Sequence, residues 1–292
     1  MKYVFFGSPR FAAIVLEKLI LANNPPLAVI ASPDRPTGRN QELTSPAIKS
    51  ICEKYSIPIY QPEKLNESEI AQLATEADFF VVAAYGKIIP LSIINLPRLG
   101  TLGIHPSPLP HLRGASPIQS TILTGSNEAG VSIYQMDAQV DHGPVLKTAF
   151  LKDYKPDQKD YAALEADLAE LGGQLFLETV PSYTEGSLQP ISQTEEEATF
   201  TTKFKTADAE IKEADLRESL TGQNINTTRE VLRKILAFSE EPGAWTVLNE
   251  PMTLKDRTLP ASLRIKLIGG QMGGDALEIT RYQIEGKKIQ NF

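Results

Sequence analysis

Apolar residues fall along this chain in two alternating rhythms. Short continuous runs at Lys2–Phe6, Leu27–Ser32, Ile57–Tyr60, Phe79–Ala84 and Leu102–Ile104, set off by Gly, Pro, Asn and Asp, read as buried strands. Between them the spacing turns helical at Phe11–Leu21, from near Ser45-Pro46 onward, and at Glu67–Thr75. Ser8 before Pro9 reads as the cap of the first helix, with proline at its first position. Farther on, Ala115–Leu123 reads as helix, Val131–Met136 as an alternating strand and Val145–Phe150 as another strand. Lys159–Thr179 places leucines at 164, 168, 171 and 175, on one face of a long amphipathic helix. This alternation up to about residue 180 predicts an α/β domain with a mainly parallel, doubly wound sheet.

From Pro181 the texture changes. Glu185-Gly-Ser-Leu-Gln-Pro and Ser192-Gln-Thr-Glu-Glu-Glu form a polar, acidic passage that reads as a linker. Beyond it come a helical segment, Thr227–Phe238, and strand-like runs at Ala244–Leu248, Arg264–Leu267 and Ala276–Ile279. That texture predicts a small β-rich domain of open-barrel, OB-like type. The expected division is 1–184, a linker over 185–202, and a second domain over 203–292.

Composition narrows the class. At 292 residues, 41% hydrophobic and 22% charged, the chain reads as a soluble globular protein with room for two domains. A single cysteine, Cys52, excludes an internal disulfide framework and a cysteine-built metal site, and fits a reducing cytoplasm. The apolar start is too short for a signal peptide, and no run approaches the ~20 residues of a membrane span. A cytoplasmic protein without membrane contact is expected. Net charge is −7, which argues weakly against nucleic acid, yet residues 1–200 carry −8 and residues 201–292 carry +1. A basic face on the second part stays open.

No Gly-x-Gly-x-x-Gly fingerprint follows the first strand and no phosphate loop occurs, so neither a nicotinamide, flavin nor nucleotide site is supported. Candidate chemistry lies in Gly100–Pro117. There an apolar strand ends in Ile104 and turns through His105, Pro106 and Ser107, in a corner stiffened by Pro106, Pro108 and Pro110. The other histidines, His111 and His142, follow within forty residues. Three readings stand side by side. The histidines could ligate a metal, although their spacing matches no ligand motif. Ser107 beside His105 could belong to a hydrolase triad, although no nucleophile elbow surrounds it. Or His105 could act in acyl transfer without a covalent intermediate, with Asp141 of Val140-Asp141-His142-Gly143-Pro144 as partner. Asp-His-Gly can also serve simply as a turn.

Four stretches carry a family likeness: Pro33-Asp34-Arg35-Pro36-x-Gly38-Arg39, Ala84-Tyr85-Gly86-x-Ile88-Ile89-Pro90, His105-x-Ser107-x-Leu109-Pro110-x-x-Arg113-Gly114-Ala115-x-Pro117-Ile118-Gln119, and Gln135-Met136-Asp137-x-x-x-Asp141-x-Gly143. In order and spacing they resemble the methionyl-tRNA formyltransferases, within the wider 10-formyltetrahydrofolate-dependent formyltransferases. Phe200-x-x-Lys203 and Pro242-Gly-Ala-Trp245 resemble that family's C-terminal extension. The resemblance implies a Rossmann-like formyltransferase domain followed by a tRNA-binding β-barrel. It also implies formyl transfer from 10-formyltetrahydrofolate, a donor substrate, to the α-amine of initiator methionyl-tRNA; a monomer without a metal is expected. By position His105 faces the oxyanion and Asp141 holds the imidazole and relays the amine proton. Ser107, Pro108, Leu109 and Pro110 match the folate-binding segment. Tyr85, Gly86, Lys87, Ile88 and Ile89, with Asp137, Gln139 and Val140, border the pterin. Arg35 and Arg39 approach the tRNA.

Three departures matter. The family pattern is Asn-x-His-x-Ser, and the asparagine, a donor to the oxyanion, is here Gly103. Losing such a donor costs on the order of 10²–10³ in turnover, so a replacement donor, a slow enzyme or a folate- or tRNA-binding relative without catalysis is implied. Restoring asparagine at 103 is the natural test. Asn40-Gln41-Glu42 replaces the usual lysines after Arg39, and the usual tryptophan-containing tail is not seen after Lys288. An amino-sugar nucleotide formyltransferase, which shares the catalytic core, is the alternative enzyme; the Arg-Pro-x-Gly-Arg loop and the extension argue against it.

Overall fold

The computed structural model describes residues 1–37 and 41–292. The chain forms two compact units. One comprises Met1–Gly114, Gly130–Leu151 and Ala166–Phe200, the other Ala115–Ala129, Lys152–Glu165 and Thr201–Phe292.

The first unit is built on a seven-stranded sheet in the order Val145–Phe150, Gly130–Gln135, Thr101–His105, Phe79–Ala83, Tyr3–Gly7, Ala28–Ile30, Ile59–Tyr60. The last five run parallel to one another; Gly130–Gln135 adds antiparallel to Thr101–His105, and Val145–Phe150 antiparallel to Gly130–Gln135. Tyr3–Gly7 and Ala28–Ile30 are buried at every position, as expected of parallel strands covered on both faces. On one face Val4, Phe6, Ile30, Phe80, Tyr85 and Ile89 form a core, with Phe6 and Tyr85 edge to face at 5.6 Å. Elsewhere Tyr3 stacks on Phe79 at 5.7 Å, and Phe176 of the helix Tyr161–Thr184 packs on both rings. Gly172 lets that helix come close, since a Cβ there would stand 2.9 Å from Ile104 Cγ2. The parallel, doubly wound core matches the expectation from the hydrophobic runs.

The first helix is Arg10–Leu21, with Pro9 itself at the N-cap and no side-chain cap. Ser8 is buried, and its hydroxyl works between strand ends instead, accepting from Ser32 N at 2.9 Å and reaching the Tyr85 carbonyl at 3.3 Å. Two short strands, Arg35–Thr37 and Glu42–Thr44, pair antiparallel after the second sheet strand.

The second unit holds the helices Pro117–Thr124, Glu213–Thr221 and Ile225–Ala237. Its sheet is four-stranded and antiparallel, ordered Ala244–Leu248, Leu263–Gly273, Ala276–Ile284, Gln290–Asn291, with a separate hairpin Met252–Leu254/Arg257–Leu259. Leu232, Ile235, Ile265, Leu267 and Tyr282 lie in its interior. Asn224 caps Ile225–Ala237 by accepting from the Asn226 and Thr227 amides, so the helix begins two residues before the predicted Thr227. The helix Glu213–Thr221 was not foreseen, because only Leu216 and Ser219 of its nine residues are buried. Among the described residues no helix is long and apolar enough to cross a membrane.

Candidate active site

His105 closes the strand Thr101–His105 and is 6% exposed. Its Nε2 lies 2.9 Å from the Leu112 carbonyl, which can only accept, so that nitrogen carries a proton. Nδ1 faces Asp141 Oδ2 at 3.6 Å, an ion-pair rather than a hydrogen-bond distance. Both ring nitrogens therefore look at acceptors. The corner after His105 is fixed from within: Ser107 Oγ donates to the His111 carbonyl at 2.5 Å, and Ser132 Oγ donates to the Ser107 carbonyl while accepting from Leu109 N, both at 2.9 Å. Ser107 thus has no imidazole partner, and the hydrolase arrangement is not formed.

Asp141 sits at φ 50°, a left-handed conformation that aspartate tolerates in turns. Its Oδ2 accepts from Gly114 N at 2.8 Å and its Oδ1 from the Tyr134 hydroxyl at 2.7 Å. Gln193 Nε2 donates to the backbone carbonyls of Asp141 and Gly143 at 2.9 and 2.7 Å, pinning the turn. Burial, then the Asp141 charge, push the Tyr134 phenol well above its ordinary range, so it remains a protonated donor. Gly103 lies directly opposite Tyr134 in the antiparallel register. A Cβ at 103 would stand 2.1 Å from Tyr134 Cε1, 2.5 Å from Cζ and 2.8 Å from the hydroxyl oxygen. The space beside Gly103 is taken by the tyrosine ring, so the simple restoration of asparagine meets a collision.

A second network lies next to this pair. Arg113, 2% exposed, donates through both terminal nitrogens to Glu195 (2.8 and 3.1 Å) and through Nε to Gln193 Oε1 (3.0 Å). His142 lies between Asp137 Oδ2 (2.5 Å) and Glu195 Oε1 (3.3 Å). Arg113's guanidinium holds the Glu195 carboxyl below its usual range. Arg113 N and Leu112 N also bond to the Thr199 carbonyl and hydroxyl at 2.9 and 2.8 Å. Residues 193–199, read from sequence as linker, are strapped to the strand corner and to the Asp141 turn. Arg113 itself is interior.

The other predicted site residues are distributed unevenly. Tyr85 and Ile89 are core residues, Ile88 is 91% exposed and Val140 69%, and Gly86 adopts φ 79°. Lys87 Nζ is occupied by the Pro62 and Glu63 carbonyls at 3.0 and 3.1 Å. Asp137 Oδ1 accepts from Gln139 N at 2.8 Å. Leu109 is buried, and Pro108 and Pro110 are partly exposed along the corner. Arg35 is exposed; Arg39 lies outside the described residues. Among the described residues no group of three or more His, Cys, Asp and Glu side chains converges to hold a metal. Tyr134, Gln193 and Glu195 were missed by sequence reasoning.

Comparison with known proteins identifies the family. The formyl transferase family matches residues 1–180. A methionyl-tRNA formyltransferase of Staphylococcus aureus strain MW2 is 33% identical over 308 residues, covering 98% of this chain and 93% of the relative. In fold, the methionyl-tRNA formyltransferase from Clostridium thermocellum superposes with a TM-score of 0.60 at 14% identity, covering all of both chains. HypX from Aquifex aeolicus, solved with tetrahydrofolic acid, gives 0.62 at 16% identity and covers 100% of this chain but 46% of its own. With a family match over more than half its length and a full-length relative above 30% identity, the chain belongs to the formyl transferase family, among the methionyl-tRNA formyltransferases.

Proposed function

We propose that this protein moves the formyl group of 10-formyltetrahydrofolate to the α-amine of methionine on initiator tRNA. The amine attacks the formyl carbon, the carbon–N10 bond breaks, the amine loses one proton and N10 gains one. Formylmethionyl-tRNA and tetrahydrofolate result. The observation that carries this reading is the buried His105–Asp141 pair at a strand end, in a chain alike over 98% of its length to a methionyl-tRNA formyltransferase.

The residues divide the work. His105 Nε2 donates to a carbonyl oxygen, the same kind of acceptor as a developing oxyanion, so the ring is held in a donor posture before reaction. In the proposed step that hydrogen bond passes to the oxyanion. Asp141, held on both oxygens by Gly114 N and Tyr134, faces the ring's Nδ1 and takes up the amine proton through water. The corner Ser107–Pro110 and the exposed Ile88 and Val140 offer an apolar and backbone-lined rim for the reduced folate. Residues 203–292, with exposed Lys203, Lys205, Lys287 and Lys288, together with Arg35 and Arg39, contact the tRNA backbone.

Incubation of the purified protein with 10-formyltetrahydrofolate and methionyl-initiator tRNA tests the reading. Formylmethionine should form, and His105→Ala should abolish it. Formyl transfer to an amino-sugar nucleotide but not to the tRNA would replace the proposed acceptor.

A further inference from the structure

The geometry points to Tyr134 as a positioning residue of the transfer site, working through Asp141, with Gly103 present to make room for it. The inference rests on the formyl-transfer reading and deepens it. Alternation along Thr101–His105 places positions 103 and 105 on one face of the strand, and the antiparallel register sets Tyr134 across from the first. The ring fills the space that any side chain at 103 would enter, down to 2.1 Å from its Cβ.

The phenolic oxygen stands 2.8 Å from that Cβ position. From ordinary bond lengths, the terminal atoms of an asparagine amide would lie about 2.4 Å from its Cβ. A polar group absent from residue 103 is thus delivered to nearly the same place from the facing strand. There it donates to Asp141 Oδ1 at 2.7 Å. Gly114 N fixes the other oxygen, so the carboxylate is gripped at both ends and its Oδ2 stays aimed at His105. A carboxylate with one oxygen free would rotate, and the His105 pairing would be shared among rotamers.

Tyr134→Phe deletes only the hydroxyl. With the acceptor that the wild type formylates, kcat should fall about 10- to 100-fold, the range for losing one hydrogen bond to a charged group, while KM for donor and acceptor stays within about twofold. Wild-type kcat in Tyr134→Phe overturns the inference. Gly103→Asn alone should lose a similar factor by evicting the phenol. Gly103→Asn combined with Tyr134→Ala should exceed both single variants, because the amide then reaches Asp141 in a vacated space. Losses that merely multiply would refute the pairing. Should Tyr134→Ala not fold, Tyr134→Phe still decides.

Should the wild type formylate neither tRNA nor sugar nucleotide, the functional reading fails separately. The hold on Asp141 is then judged without substrate, by the ¹⁵N shifts of the His105 ring. They should differ between wild type and Tyr134→Phe, and identical spectra would overturn the inference.

Discussion

Arg113 offers the most quantitative test of how the strap supports the site. It is 2% exposed and spends three nitrogens on two residues of the 193–195 segment: both terminal nitrogens on Glu195 and Nε on Gln193. Phe200 adds a ring 5.8 Å from the guanidinium carbon. Replacing Arg113 by methionine keeps the aliphatic stem and removes the charge. A hydrogen bond to a charged group contributes about 1.5–3 kcal/mol net, whereas an exposed ion pair contributes about 0–1. Glu195 is 55% exposed and recovers water when released, so its loss costs little. Gln193 is the costlier loss, since its Oε1 loses the Arg113 donor. Losing the Arg113–Gln193 hydrogen bond destabilises by about 1.5–3 kcal/mol, or roughly 3–12 °C in Tm for a unit of this size.

The same substitution should reach the chemistry. Gln193 holds the Asp141 and Gly143 carbonyls, and Arg113 holds Gln193, so the Asp141 turn loosens. A misplacement near 1 Å costs up to about 10²-fold in rate; a tenfold fall in kcat is expected. Urea denaturation followed by fluorescence, with kcat measured on the folded variant, provides the check. Arg113→Lys discriminates further, because an ammonium can meet Glu195 as a point charge but cannot also serve Gln193 in the guanidinium's fork. It should recover part of the stability and little of the rate. A methionine variant with Tm within about 2 °C of wild type and unchanged kcat would refute the strap as a support.

Three further outcomes follow from particular contacts. Asp141→Asn presents an NH₂ either to Gly114 N–H, a donor against a donor, or to the Tyr134 hydroxyl; kcat should fall on the order of 10²–10⁴-fold with folding retained, measured by steady-state kinetics and thermal melts. Glu213 accepts from the Asn249 amide and from Arg217, and these hold its carboxyl at about 2 against an ordinary 4.5. Because the folded value is depressed, its stabilisation is complete above about pH 4.5 and disappears as pH falls through about 2, so the Tm gap between wild type and Glu213→Gln should be widest near neutrality and close in acid; a gap independent of pH would contradict it. Gly172→Ala puts a methyl 2.9 Å from Ile104 Cγ2 and 3.2 Å from Val131 Cγ1, and overpacking should lower stability by about 1–3 kcal/mol in a denaturant titration.

What was legible in the sequence was what local rules govern. Phe-Phe-Val-Val-Ala at 79–83 announces a doubly covered strand because no other element buries five apolar residues in a row so economically. His105 announces itself because three prolines force the chain out of the sheet just after it. Where two environments compete, local rules mislead. Ser8 has every attribute of a helix cap, yet its burial between strand ends gives its hydroxyl better partners in Ser32 and Tyr85. Glu213–Thr221 hides because a helix with one polar face and few buried residues resembles a loop. Residues 193–199 hide for the opposite reason: acidic composition suggests solvent, while the cation that holds Glu195 lies eighty-two positions earlier.

Tyr134 shows why the deepest part of the site could not be read locally at all. It stands in an alternating strand, thirty-one positions after Gly103, where a tyrosine is unremarked. Its meaning comes from the change of direction in the sheet. Thr101–His105 has a parallel neighbour on one side, Phe79–Ala83, and an antiparallel one on the other, Gly130–Gln135. An antiparallel neighbour sets residues directly opposite one another, so its side chains can cross onto the strand they face. Ser132, opposite His105, reaches the corner backbone; Tyr134, opposite Gly103, reaches Asp141. The hairpin that carries both strands of the antiparallel edge also carries Asp141 in its turn. One topological switch therefore supplies the carboxylate, the phenol that grips it and the hydroxyl that fixes the corner. That is why a glycine at 103 is an opening for a neighbour's side chain as well as the absence of its own.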